Sequence, residues 1–145
     1  MDNSTRLVLL AEDNNEEYVG FLRAVSKQPG IEVMRLDDGY SLLNMLQTAI
    51  EPYAIFLDVN LRYKDGLSTL REIRDMKRFN QVPVIMLSKE VYPPNIEIAY
   101  ELGATYFIKK CFAGQAFADI FDRILSSSYF NQVKQPPLQE FVIES

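Results

Sequence analysis

The 145 residues contain no histidine. That absence excludes a Ser-His-Asp triad, a histidine-ligated zinc centre and a phosphohistidine carried on this chain. Cysteine occurs once, at Cys111. A single thiol excludes an internal disulfide framework and a CxxC pair, and it fits a reducing cytoplasm. Basic charge is in deficit: 15 Lys and Arg stand against 20 Asp and Glu, a net charge of −5. Such a balance argues against a direct grip on nucleic acid, which needs basic surface to displace counterions. No run approaches the roughly 20 apolar residues of a membrane span. The polar start, Met1 to Arg6, lacks the basic-then-apolar pattern of a signal peptide.

What is present belongs to a folded domain. Hydrophobic residues make up 48% of the chain and charged residues 24%, which excludes disorder along the whole length. A chain of this size makes one domain and buries enough surface to fold without staples. Two textures alternate along it. Short apolar runs at Leu7–Ala11, Ile31–Leu36, Tyr53–Leu57, Val82–Leu87 and Thr105–Ile108 read as strands buried on both faces. Between them lie stripes of helical period: Tyr18, Phe21, Leu22 and Val25; Leu42, Leu46, Ala49 and Ile50; Leu67, Leu70, Ile73 and Met76. The third stripe leaves Arg71, Arg74 and Asp75 off its apolar face. A fourth helix is predicted to start at Pro93–Pro94 and stop at Gly103, and a fifth carries Phe117, Ile120, Phe121, Ile124 and Leu125.

Five β-α units in succession imply an α/β fold, a doubly wound parallel sheet between two helical layers, because parallel strands need crossover connections. The domain is expected over residues 1–128. The last 17 residues, Tyr129–Ser145, break the pattern, and the expectation for them is a tail with no output domain. Three fates stand open for that tail: packing on the domain, self-association into a homodimer, or disorder.

In an open parallel sheet, ligands bind beyond the carboxyl ends of the strands. The first strand is followed there by Glu12-Asp13, the second by Asp37-Asp38, the third by Asp58, the fourth by Ser88 and the fifth by Lys109-Lys110. Carboxylates brought together repel, and a hard dication such as Mg²⁺ relieves the conflict with oxygen ligands. The remaining groups suit phosphoryl transfer. A carboxylate can form an acyl phosphate, a lysine can pair with the phosphoryl oxygens, and a hydroxyl can hydrogen-bond one of them. Taken singly, each residue has a plainer reading. Glu12-Asp13 could cap the first helix, Asp58 and Ser88 could end strands in turns, and Phe107 could be core alone. Glu16-Glu17 reads as the solvated face of the first helix, and Asp65-Gly66 as the start of the third.

Four segments in order, LVLLAEDN, AIFLDVNLRYKDG, VPVIMLSKE and GATYFIKKCF, give the chain a family likeness over about residues 5–128. It resembles the receiver domain of bacterial two-component response regulators, of the single-domain chemotaxis type. The resemblance implies a flavodoxin-like (βα)5 three-layer sandwich whose parallel five-stranded sheet has the order 2-1-3-4-5. It implies Asp58 as phosphoacceptor and Mg²⁺ held by Glu12, Asp13, Asp58 and the backbone carbonyl of Asn60. Ser88 and Lys110, rather than Lys109, would bind the phosphoryl oxygens, and Phe107 would be the aromatic switch. Asn60 and Glu90 occupy the positions that tune dephosphorylation.

The implied function is that of a single-domain response regulator in the cytoplasm. It accepts phosphoryl from a sensor histidine kinase or a histidine phosphotransfer protein and switches a face read by a downstream protein target. It would catalyse only its own phosphorylation and dephosphorylation, with no contact to nucleic acid or membrane. Three departures from the family pattern motivate an alternative, a receiver-like interaction module that is never phosphorylated. Cys111 replaces a proline whose cis peptide shapes the loop beside the lysine. A cis bond before a non-proline residue costs roughly 2.5–4 kcal/mol, so a trans loop and a redirected Lys110 are expected here. Arg62 replaces a proline four residues after the acceptor, and Lys89 replaces a small residue after Ser88. A third class, a Mg²⁺-dependent phosphohydrolase, usually has a second aspartate two residues beyond its nucleophile, where this chain has Asn60. An FMN-binding protein is disfavoured because the loop after the first strand, AEDNNEE, would repel a phosphate.

Overall fold

Six parallel strands form the centre of the molecule. The computed structural model describes residues 5–112, 115–132 and 134–144; the start of the polar N-terminal segment, residues 1–4, lies outside them. The strands are β1 (Arg6–Ala11), β2 (Ile31–Leu36), β3 (Ala54–Asp58), β4 (Val84–Ser88), β5 (Tyr106–Lys109) and β6 (Val142–Ile143), in the sheet order β2-β1-β3-β4-β5-β6. The first five thus follow the expected 2-1-3-4-5 order, and a sixth strand extends the sheet beyond the expected edge.

The helices are α1 (Asn15–Val25), α2 (Gly39–Met45), α3 (Gly66–Asp75), α4 (Pro93–Glu101), α5 (Ala116–Leu125), α6 (Ser128–Gln132) and α7 (Leu138–Phe141). Helix starts follow local chemistry. Asn14, Asp38 and Asp65 each accept a hydrogen bond from a backbone N–H in the first turn of the helix that follows. Proline occupies the first turn of α4. Gly103 ends that segment in a left-handed conformation, φ +96°, which side chains other than glycine rarely adopt. Helix α2 is shorter than its apolar stripe predicts: it ends at Met45, and Ala49 lies beyond it in an exposed turn.

Side-chain alternation along the strands builds two cores. Val8, Leu10, Ala54 and Phe56 pack with α1 and α5 through Phe21, Phe117 and Phe121. Leu9, Ile55, Leu57, Met86 and Phe107 pack on the other face with Leu42, Leu70, Ile73 and Ala99 of α2, α3 and α4. Strands β3 and β4 are buried along their whole length, whereas β2, at the edge, is only partly covered. The reading of β2 as buried on both faces therefore overstates its burial, as Glu32 and Arg35 within it show.

The C-terminal segment packs on the domain. Phe130 joins the core beside α5, its ring centroid 5.4 Å from that of Tyr53. Gln135 donates to the carbonyls of Tyr100 and Ala104, and the Tyr100 hydroxyl donates to the carbonyl of Pro136. Phe141 is fully buried, with its ring centroid 4.9 Å from Tyr100 and 6.4 Å from Phe107. Strand β6 then pairs with β5, Phe107 opposite Val142 and Ile108 opposite Ile143. No helix among the described residues is long and apolar enough to cross a membrane.

Candidate functional site

The carboxyl edge of the sheet gathers the charged residues. Ala54 and Phe56 of β3 face α1 and α5, so Asp58, two residues on, sends its carboxylate to the same side. Tyr106 and Ile108 of β5 face that side too. Lys110 continues the alternation inward, while Lys109 is exposed on the opposite face. Alternation thus separates the two adjacent lysines, and the backbone N–H of Lys110 is anchored on the carbonyl of Ser88 at 2.7 Å. The peptide bonds of the described residues are trans, as expected for Cys111. The expected redirection of Lys110 does not occur, since its Nζ reaches Asp58 Oδ2.

Gly66 lets α3 begin directly against the end of β3. A Cβ there would clash with the Asp58 carbonyl oxygen and sit 2.8 Å from Val59 Cα. The Gly66 N–H donates to the Val59 carbonyl at 2.9 Å and closes the loop that carries Asn60.

Asp58 is buried, and both its carboxylate oxygens are engaged. Oδ1 accepts from the Asn60 backbone N–H at 3.0 Å, and Oδ2 accepts from Lys110 Nζ at 2.6 Å. The Lys110 ammonium also donates to Glu17, at 3.2 Å to Oε1 and 3.0 Å to Oε2. Glu12 Oε1 lies 3.0 Å from the same nitrogen, but off the direction of a hydrogen bond. Three carboxylates therefore surround one ammonium whose side chain is 7% exposed. Burial raises the Glu12 pKa to about 7, helped by the negative charge of Asp58 and opposed by Lys110. Burial works against the Lys110 ammonium, but the charge and hydrogen bond of Asp58, with the nearby charge of Glu12, outweigh it and raise the Lys110 pKa.

The other expected residues sort themselves around this centre. Asp13 and Asn60 line the same cavity, of about 180 Å³, together with Glu12, Asn14, Glu17, Asp58, Lys89 and Lys110. Asp13 Oδ2 accepts from the Arg62 backbone N–H at 3.2 Å, and Arg62 Nε lies 3.8 Å from it. Ser88 is buried, with its hydroxyl oxygen accepting from the Glu90 N–H at 3.2 Å. Phe107 is buried on the α3–α4 side, against Phe141. Two departures from the family pattern, Arg62 and Lys89, each place a cation beside a carboxylate of the site. Lys89 Nζ is 3.5 Å from Glu17 Oε1.

Glu17 is a correction to the sequence reading, which made it part of a solvated helix face. It is 15% exposed and turned into the site. The signal was its spacing. Glu17 stands four residues after Asp13 in the first turn of α1, and helical side chains lean back towards the N-terminus, here over the strand ends.

Whether these groups suit a divalent cation is answered by their chemistry. One carboxylate oxygen each from Glu12, Glu17 and Asp58 lies within 4.8 Å of the others. Among the described residues, Glu12 Oε1 is a buried side-chain oxygen with no hydrogen-bond partner. Clustered hard oxygens with one unsatisfied fit a cation of the Mg²⁺ or Mn²⁺ type.

The family model of the response regulator receiver domain matches residues 8–122. The transcriptional regulatory protein CpxR of Escherichia coli (strain K12) is 28% identical over 127 residues, 88% of this chain and 53% of CpxR. The chain thus spans about half the length of the CpxR proteins it matches. Response regulator Rcp1 of Synechocystis sp. is 29% identical over 116 residues, 74% of this chain and 78% of Rcp1. The crystal structure of the Mn²⁺-bound form of Rcp1 is similar with a TM-score of 0.75 at 24% identity, over 91% of this chain and 99% of that one. The phosphorylated cyanobacterial phytochrome response regulator RcpA is similar with a TM-score of 0.77 at 25% identity, over 92% and 99%.

Proposed function

The chain belongs to the response regulator receiver domain family, and on that premise we propose that Asp58 accepts a phosphoryl group from a phosphohistidine on a partner protein. The observation that carries this reading is the 2.6 Å contact between Lys110 Nζ and Asp58 Oδ2 at the carboxyl end of β3. It puts a cation beside the carboxylate, where charge spreads over the phosphoryl oxygens. A carboxylate oxygen of Asp58 forms the new P–O bond as the P–N bond of the donor breaks, and the electron pair stays on the imidazole nitrogen. Lys110 holds its proton throughout and shifts its hydrogen bonds to the phosphoryl oxygens. The donor would be a sensor histidine kinase or a histidine phosphotransfer protein, since this chain has no histidine of its own.

Glu12, Asp13, Asp58 and the Asn60 carbonyl would hold Mg²⁺. When bound, the cation supplies charge neutralisation for the carboxylates and the transferring group. The Mn²⁺-bound form of Rcp1 and the phosphorylated form of RcpA support this reading by analogy. Ser88 would turn its hydroxyl to the phosphoryl group, and Phe107, on the same side of the sheet, would move with it. A downstream protein would read the change. Asn60 and Glu90, at the site's exposed edge, would set the rate at which water returns Asp58 to its free form.

The test is intact-mass spectrometry after incubation with Mg²⁺ and acetyl phosphate. One phosphoryl group should be gained by the native chain, and none by Asp58→Ala or in EDTA. A gain that persists in Asp58→Ala refutes the assignment of the acceptor.

A further inference from the structure

We propose that Glu17 is a positioning residue that holds Lys110 in the resting state and slows entry of the phosphoryl group at Asp58. The inference rests on Asp58 being the acceptor. Lys110 has three ammonium protons, and its nitrogen makes three hydrogen bonds, to Asp58 Oδ2 at 2.6 Å and to Glu17 Oε1 and Oε2 at 3.2 and 3.0 Å, with Glu12 Oε1 3.0 Å away as a charge neighbour only. No proton is left free for an incoming phosphoryl oxygen. Asp58 must stay in place as acceptor, and Glu12 is locked at the end of β1, with its Oε2 accepting from the Asn14 N–H at 3.2 Å. Glu17 is the partner that can let go. It lies on α1 rather than on the sheet, and Lys89, with its side chain 70% exposed, is already 3.5 Å away to take over its charge.

Glu17 acts in two ways. Its carboxylate lines the cavity that an incoming donor must enter, so it repels a dianionic phosphate. It also competes with the phosphoryl oxygens for Lys110. Both effects oppose transfer, and both come from charge rather than shape. They should therefore depend on salt and survive a change of side-chain length.

Glu17→Gln keeps the shape and removes the charge. In the full chain with Mg²⁺, it should speed phosphorylation by acetyl phosphate and tighten binding of beryllofluoride, a phosphoryl mimic. Each gain should be roughly fivefold or more and shrink as salt rises from about 0.05 to 0.5 M. Glu17→Asp should return both quantities towards native values. Unchanged or lower values in a folded Glu17→Gln overturn the proposal. So does a fall of more than about fivefold in its Mn²⁺ affinity by electron paramagnetic resonance, since Glu17 would then be a metal ligand. If the native chain itself neither binds beryllofluoride nor takes up phosphoryl, the assignment of Asp58 fails and this proposal with it. If the native chain does both and Glu17→Gln matches it, the proposal alone fails.

Discussion

Glu12→Gln should stabilise the cation-free protein, by an amount that grows as pH rises from about 4.5 to about 7. Glu12 is 1% exposed, and its pKa rises from 4.5 to about 7 on folding, first because burial penalises the carboxylate and then because Asp58 repels it. The folded state therefore holds the Glu12 proton more tightly than the unfolded chain. Below about pH 4.5 the group is protonated in both states and costs nothing. As pH rises through the window from 4.5 to about 7, the unfolded chain ionises first, and native stability is lost. Above pH 7 the loss is complete, on the order of 3 kcal/mol at ~1.4 kcal/mol per pKa unit. Glutamine has nearly the same shape and cannot ionise, so it escapes the loss. Urea unfolding followed by circular dichroism in EDTA checks this. Glu12→Gln should exceed the native chain by about 3 kcal/mol at pH 8 and by less than about 1 kcal/mol at pH 5. Added Mg²⁺ should narrow the gap at pH 8, because the native carboxylate then gains a ligand that glutamine holds weakly. Equal stability at both pH values, or a native chain more stable than the variant in EDTA at pH 8, refutes the reasoning.

Two further perturbations probe parts of the fold that support the site. Phe141→Ala empties a fully buried position between Tyr100 and Phe107, and should cost about 3–5 kcal/mol in urea unfolding. Hydrogen exchange should quicken first at the β5–β6 pairs, and unchanged stability would mean that the C-terminal segment is not part of the core. Arg74→Ala removes the donor to three carbonyls, those of Gly103, Phe79 and Val82. Leaving them unpaired in a partly buried pocket should cost about 2–4 kcal/mol, and Arg74→Lys should recover only part of that because one ammonium cannot reproduce the planar fork.

Much of the fold is legible along the chain because its causes are local. Strands buried on both faces must be apolar throughout, and helices packed on one side must repeat every three to four residues. Both patterns appear in the residues that form β1, β3, β4, α1 and α3. Helix starts are equally local, since Asn14, Asp38 and Asp65 cap the turns that follow them. The edge strand β2 and the short helix α2 read less well, because burial depends on what neighbours supply.

The sequence by itself determined the alternation of strands and helices and the ring of reactive residues at the strand ends. It also determined, through the two-residue period of β5, that only one of Lys109 and Lys110 could face Asp58. Tertiary structure decided the rest. Glu17 leans over the strand ends by its helical position, but what makes it part of the site is Lys110, 93 positions away, which reaches across to it. Arg74 lies off the apolar stripe of α3, and it is drawn inward because three carbonyls from two connections, α3–β4 and α4–β5, converge on it. Phe141 lies in a segment with no clear period, and it is buried because the open edge of β5 offers both backbone partners and an apolar hollow beside Phe107. Charge pairing and burial between distant segments depend on where the chain returns to itself, and that is a property of the assembled fold rather than of any local stretch.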